Sequence, residues 1–171
     1  YISYDRLEKT DFSHNAFSTR VGGVSEGIFE SMNLSWKMGD DIQNVKRNFE
    51  IFISENGFKN PVLSDQTHTT NVLRVSKEDS GINFDKERRI KDIDGLITNE
   101  PEVTLVTSYA DCVPLYFADE ENRAIGLSHS GWRGSVGRIG ENTIKAMERE
   151  FGTNPKKLTV AIGPSICVNC Y

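Results

Sequence analysis

The chain has 171 residues, 37% of them hydrophobic and 26% charged, and 25 acidic residues against 20 basic ones give a net charge of −5. That length fits a single domain with a real core, the acidic balance argues against a nucleic-acid partner, which calls for a basic stripe, and no apolar run approaches the ~20 residues of a membrane helix. Three cysteines, an odd number, do not make the paired framework of a secreted scaffold and point to a reducing, cytoplasmic location.

The first periodic segment covers residues 42–56. Ile42, Val45, Phe49, Phe52 and Ile53 recur at helical spacing, with Asp40 or Asp41 placed to cap the start and Gly57 to end it. Short β-like runs follow at 72–75, 94–98, 103–106, 113–117 and 124–127. Among them, the charged stretch 78–91 reads as a surface excursion. A second helix is expected over 135–151, where Val136, Ile139, Ile144, Met147 and Phe151 form a stripe and Glu141 sits four residues before Lys145. A last run at 158–162 leads into Gly163-Pro164-Ser165 and then Cys167-Val168-Asn169-Cys170. The order helix, strands, helix, strand is not the regular alternation of a doubly wound fold. No repeat or linker divides the chain, so one α+β domain over 1–171 is expected. A strand and Gly-Pro turn so close to Tyr171 suggest that further structure is missing there. The Cys-x-x-Cys pair lacks the second pair that a zinc knuckle needs.

The least ordinary segments hold two of the three histidines and one cysteine: Asp65-Gln66-Thr67-His68, Ala110-Asp111-Cys112-Val113-Pro114 and Ser128-His129-Ser130-Gly131-Trp132-Arg133-Gly134. Cys112 just precedes one predicted strand and His129 just follows another. If those strands pair as an antiparallel hairpin, thiol and imidazole meet at one edge of the sheet, and His68 can fold over that edge from a polar loop. Two nitrogens and a thiolate suit Zn²⁺, with a fourth position left for water; the metal would lower the pKa of that water to about 7 and polarise a substrate oxygen. Asp111, next to Cys112, is placed to orient a ligand. The plainer reading makes each histidine a surface or core residue and Cys112 a small buried hydrophobe.

A helix starting near Ser135 would present free N–H groups and a positive dipole end to an anion, with Gly131 and Gly134 allowing close approach and Arg133 forking onto phosphate oxygens. The alternative is a well-capped helix with Arg133 in a surface ion pair. Arg20 stands in Ser18-Thr19-Arg20-Val21-Gly22-Gly23-Val24-Ser25, which taken alone is a turn with an exposed arginine and lacks the Gly-Lys-Ser/Thr of a Walker loop.

These segments, with Phe17, Met32-Asn33-Leu34, Gly39-Asp40-Asp41, Asp94-Gly95-Leu96-Ile97-Thr98 and Ile162-Gly163-Pro164-Ser165-Ile166, resemble in content and order the bacterial laccase-domain proteins, or multicopper polyphenol oxidoreductases. That family is associated with purine nucleoside phosphorolysis. The resemblance implies a layered α/β/β/α fold with mixed sheets, not the cupredoxin barrels of true laccases. It implies zinc held by His68, Cys112 and His129. It implies phosphorolysis of adenosine, inosine or methylthioadenosine to base and ribose 1-phosphate, with adenosine deamination attributed to relatives. It also implies a longer chain, since members continue past the position of Tyr171.

On this reading Arg20 and Arg133 bind phosphate or stabilise developing negative charge, and Asn33 and Asp94 contact ribose or base. Three other readings use the same residues. A metal-free hydrolase or amidase acting on peptidoglycan precursors would have Cys112 as nucleophile and His129 as its base. A structural zinc site would close its shell with a fourth ligand such as Cys170. A copper oxidase would need many more histidines, in His-x-His pairs; a single blue-copper site would need Met32, Met38 or Met147 as axial ligand, and Met147 sits in the helical stripe.

Overall fold

The computed structural model describes residues 1–81 and 90–171. A short helix α1 (Asp5–Glu8) precedes the first long helix, α2 (Ile42–Glu55). The Asp41 carboxylate accepts the Gln43 N–H at 2.8 Å to start α2, and Gly57, at φ 65°, turns the chain out of it. Two strands follow, β1 (Pro61–Asp65) and β2 (Val72–Arg74), and then β3 (Ile90–Lys91), β4 (Gly95–Thr98) and β5 (Thr104–Val106). The hairpin β6 (Val113–Asp119) and β7 (Ala124–Ser130) leads to a short helix α3 (Trp132–Val136), helix α4 (Ile139–Phe151) and strand β8 (Thr159–Ile162).

The strands form two sheets. One has the order β3-β1-β5 and is parallel throughout; the other has the order β2-β4-β7-β6-β8, with β2 and β4 parallel and the remaining pairs antiparallel. Alternation along each strand assigns two faces. Val62 of β1 and Leu105 of β5 meet Leu96 of β4 between the sheets, with Val75 and Val103. Leu63 faces the opposite way, onto Val45 and Phe49 of α2. Ile97 and Phe117 point away from the first sheet, onto Ala146 and Met147 of α4. The layers therefore run α2, three-stranded sheet, five-stranded sheet, α4, as the α/β/β/α expectation has it.

Four details differ from the sequence expectation. Strand β1 was not expected: Val62 and Leu63 are its only large apolar residues, between Pro61 and Ser64, so period and propensity carry no signal there. Strand β7 extends three residues beyond 127, which puts His129 inside the strand. The helix expected over 135–151 is two helices, broken where Arg138 adopts a left-handed backbone at φ 63°. The loop of residue 70 crosses at that break, and a Cβ at Gly137 would stand 2.5 Å from Thr70 Cγ2. Val136, on the wrong side of the break, is exposed rather than core. Of the charged stretch 78–91, residues 78–79 complete the short 3-10 helix Lys77–Asp79 and Ile90–Lys91 is β3; residues 82–89 lie outside the described residues.

Candidate metal centre

The β6–β7 hairpin pairs Pro114 with His129 and Val113 with Ser130. Cys112, one residue before β6, and His129, the penultimate residue of β7, therefore share one end of the five-stranded sheet. His68 reaches the same place from the loop after β1. The ligand atoms of the three side chains lie within 4.8 Å of one another. Cys112 Sγ is 3.7 Å from His68 Nε2, and the two imidazoles stand edge to face with centroids 4.9 Å apart. Exposure grades across the group: His129 is buried, Cys112 half-buried and His68 exposed.

One carboxylate organises this arrangement. Asp94, just before β4, has no exposed surface and accepts five hydrogen bonds. The N–H groups of Thr67, His68 and Thr69 donate to it at 3.2, 3.1 and 2.8 Å. The Thr69 hydroxyl donates at 2.8 Å, and His129 Nδ1–H donates at 2.8 Å. Three successive N–H groups closing on an anion form a nest, and this nest holds His68 at a left-handed φ of 65°, a conformation that costs a non-glycine residue about 1–3 kcal/mol. Burial pushes the Asp94 carboxyl up, but the hydrogen bonds from His129, Thr69 and Thr67 outweigh it and hold the pKa down to about 2. An ionised Asp94 fixes the proton of His129 on Nδ1, which leaves the Nε2 lone pair free as a ligand.

Asp94 was expected to contact ribose or base. Full burial and five protein donors leave it no surface for a substrate and place it behind the histidines instead. Asp111 was expected to orient a ligand, and that position belongs to Asp94. The Asp111 carbonyl accepts the Ile166 N–H at 3.0 Å. Burial first, and then the charges of Asp111 and Asp94, push the Cys112 thiol up.

The donor set fits a transition metal. Bond lengths of about 2.0 Å to nitrogen and 2.3 Å to sulfur give a tetrahedral N–S edge of about 3.5 Å, close to the separation of Cys112 and His68. Gly131 forms the floor of this space: a Cβ there would stand 2.6 Å from His68 Cδ2 and 3.0 Å from Cys112 Sγ. Tyr109 packs behind His129, rings 5.6 Å apart, with its hydroxyl 2.6 Å from that of Thr107; burial raises its pKa well above the ordinary value, so it stays a neutral phenol. Sequence reasoning missed Tyr109, which no motif marks. Among the described residues the metal-ligating group contains His68, Cys112 and His129 and not Cys170. Met147 lies fully buried among Ile97, Phe117 and Ala146, as its place in the helical stripe implies.

The other expected residues are more scattered. Arg133 lies on α3, two residues past Gly131, with its guanidinium 4.4 Å from the exposed Trp132 ring. The helix start expected at Ser135 falls instead at Trp132, with Gly131 as N-cap. Arg20 is on the N-terminal loop, where its Nε donates to the Glu30 carbonyl at 2.6 Å; among the described residues no hydrogen bond joins it to the three ligands. The Asn33 amide donates to Asp40 at 2.8 Å and to the Ser35 carbonyl, and accepts from the Ser35 N–H. With Phe17, Met32 and Tyr109 it lines a cavity of about 560 Å³.

Residues 14–171 match a family model described as multi-copper polyphenol oxidoreductase laccase. The chain is 37% identical over 158 residues to a Bacillus subtilis protein named purine nucleoside phosphorylase YlmD, a match covering 91% of the chain and 57% of that protein. It is 36% identical over 176 residues to a protein named purine nucleoside phosphorylase from Bacteroides thetaiotaomicron, covering 99% and 64% respectively. The crystal structure of YlmD from Geobacillus stearothermophilus superposes with a TM-score of 0.85 at 34% identity, over 90% of this chain and 58% of that one. The chain thus spans less than two thirds of the length of these relatives.

Proposed function

The chain belongs to the multi-copper polyphenol oxidoreductase laccase family, and on that premise we propose that it carries the metal site of a zinc-dependent purine nucleoside phosphorylase. The observation that carries the reading is the convergence of His68, Cys112 and His129 on one open space, with Asp94 fixing both histidines. Two relatives bear the phosphorylase name. The substrates are a purine nucleoside (adenosine, inosine or methylthioadenosine) and phosphate. A phosphate oxygen bonds to the anomeric carbon as the glycosidic bond breaks, giving ribose 1-phosphate and the free base.

His68, Cys112 and His129 hold the zinc. The bound ion supplies Lewis acidity, polarising a substrate oxygen and stabilising negative charge. Asp94 keeps His129 in one tautomer and the His68 loop in one shape. Arg133, exposed beside Gly131, attracts phosphate, and Arg20 is the second candidate for that work. Asn33 is the candidate for a nucleoside contact, on the cavity wall it shares with Tyr109.

The decisive experiment incubates the zinc-loaded protein with adenosine, inosine or methylthioadenosine, with and without phosphate, and measures ribose 1-phosphate and free base. The reading expects both products only when phosphate is present. Base release that ignores phosphate, or no release from any of the three, rejects it.

A second reading rests on the Asp94–His129 pair, which resembles the orienting pair of a cysteine hydrolase. In that case Cys112 acts as a nucleophile without metal, and His68 Nε2, 3.7 Å from its sulfur, joins His129 as a candidate base. Amidase activity that survives a strong chelator and is lost on alkylation of Cys112 supports it.

A further inference from the structure

The last segment of the chain holds a second sulfur cluster. Cys167 and Cys170 are both exposed free thiols, and their Sγ atoms lie 3.2 Å apart. Backbone geometry imposes this approach: the N–H groups of Cys170 and Tyr171 both donate to the Cys167 carbonyl, at 3.0 and 3.1 Å, closing a tight turn. Among the described residues no third metal-ligating side chain joins the pair in a group.

The two thiols are unequal. The Cys170 thiol, followed by the backbone N–H groups of Asn169 and Cys170, lowers the pKa of Cys167, while Cys170 itself is raised. A thiol that ionises more readily beside one that ionises less readily is the asymmetry of a dithiol that exchanges with disulfides. The turn also continues a strap that brackets the metal ligand Cys112. The Gly163 N–H donates to the Pro114 carbonyl at 2.8 Å, and the Ile166 N–H to the Asp111 carbonyl at 3.0 Å.

We propose that Cys167 and Cys170 form a redox-active dithiol, separate from the metal centre, whose co-substrate is a low-molecular-weight disulfide of the glutathione type. Cys167 thiolate attacks one sulfur of the disulfide; that S–S bond breaks, a mixed disulfide forms on Cys167, and one thiolate leaves. Cys170, losing its proton, attacks Cys167 Sγ; the mixed disulfide breaks, the Cys167–Cys170 bond forms, and a second thiolate leaves. Two protein thiols are oxidised, one disulfide is reduced to two thiols, and the two protons pass to the leaving thiolates. The strap places this change beside the Cys112 loop.

Proteolysis separates the sulfurs cleanly. No Lys or Arg lies between Leu158 and Tyr171, so the tryptic peptide starting at Leu158 carries Cys167 and Cys170, while Cys112 lies on the peptide 92–123. The chain is equilibrated in buffers of graded oxidised to reduced glutathione, quenched in acid, alkylated, digested and weighed. As the ratio rises, the peptide from Leu158 should lose both alkylation sites and weigh about 2 Da less than its unalkylated dithiol form. C170S should trap a glutathione adduct on Cys167, and C167S should leave Cys170 free to alkylate. A peptide that stays doubly alkylated at the most oxidising ratio overturns the proposal, as does a stable glutathione adduct in the unmutated chain. So does protection of both thiols by added zinc under reducing conditions, which would mark a metal site instead.

Discussion

His68 and His129 share one acceptor oxygen: Asp94 Oδ1 takes the backbone N–H of His68 at 3.1 Å and Nδ1–H of His129 at 2.8 Å. The loop that carries one ligand and the ring of the other are thereby referred to the same buried atom. Asp94→Asn removes the charge and turns an amide N–H₂ toward donors that need an acceptor. Zinc affinity should fall by about 10–100-fold, and each donor left unsatisfied should cost about 1–3 kcal/mol of stability. Competition against a chromophoric chelator and urea unfolding read the two effects. Unchanged zinc affinity would remove Asp94 from the metal centre.

Cys112→Ala deletes the only sulfur of the group. The purified variant should retain less than a tenth of the zinc of the parent protein and lose nucleoside phosphorolysis, measured by elemental analysis and product assay. Full activity in this variant would sink the assignment of Cys112.

Gly131→Ala tests the floor of the site by sterics alone, since the new methyl must displace the His68 ring or the Cys112 sulfur. Zinc affinity should drop at least about tenfold, with an overpacking cost of about 1–3 kcal/mol. Wild-type affinity would mean that the ligands approach one another less closely than the structure has them.

Asp119, at the turn of the β6–β7 hairpin, supplies a pH dependence away from the metal. It is buried and accepts the N–H groups of Glu121 and Asn122 at 3.1 and 3.2 Å and the Asn122 amide at 2.8 Å. Burial raises its pKa, but the hydrogen bonds it accepts outweigh that and bring it below the usual carboxylate value. A lowered folded-state pKa stabilises the protein above the unfolded value of about 3.9, and that contribution is lost as pH falls through the folded value. The stability difference between the parent and Asp119→Asn, from urea unfolding, should therefore be largest near neutrality and shrink below about pH 4. A difference that is flat with pH would contradict this role.

The parts of the fold that sequence expressed are those with a strong local signal. α2 and most of α4 keep a helical stripe with identifiable ends, and β4, β6 and β7 hold short apolar runs. What escaped was set at a distance. β1 is a strand because its neighbours β3 and β5 pair with it, not because Pro61 to Asp65 favour one. The helix breaks at Arg138 because the loop of Thr70 crosses there. In the site, the hairpin geometry that joins Cys112 to His129 follows from two adjacent strands and a short turn. The acceptor behind His129 does not: Asp111 is the carboxylate next to a ligand in sequence, but the ligand it adjoins is Cys112, and the partner of His129 is Asp94, 35 residues before it. Asn33 carries no local sign of its tie to Asp40, which only the folded loop creates.

The nest around Asp94 also orders events in time. His129 lies within the paired hairpin, and Cys112 directly precedes its first paired residue. His68 belongs to an exposed loop whose three N–H anchors end on a single side chain. With an ion held by the three side chains, opening that loop would release one ligand while the other two stay in place, and exchange would be gated at His68. Its rate is then governed by how often Asp94 lets go of three amides at once, whereas the equilibrium affinity is governed by all three ligands. Removing the Thr69 hydroxyl, which donates to the same carboxylate, should accordingly speed the coming and going of the ion.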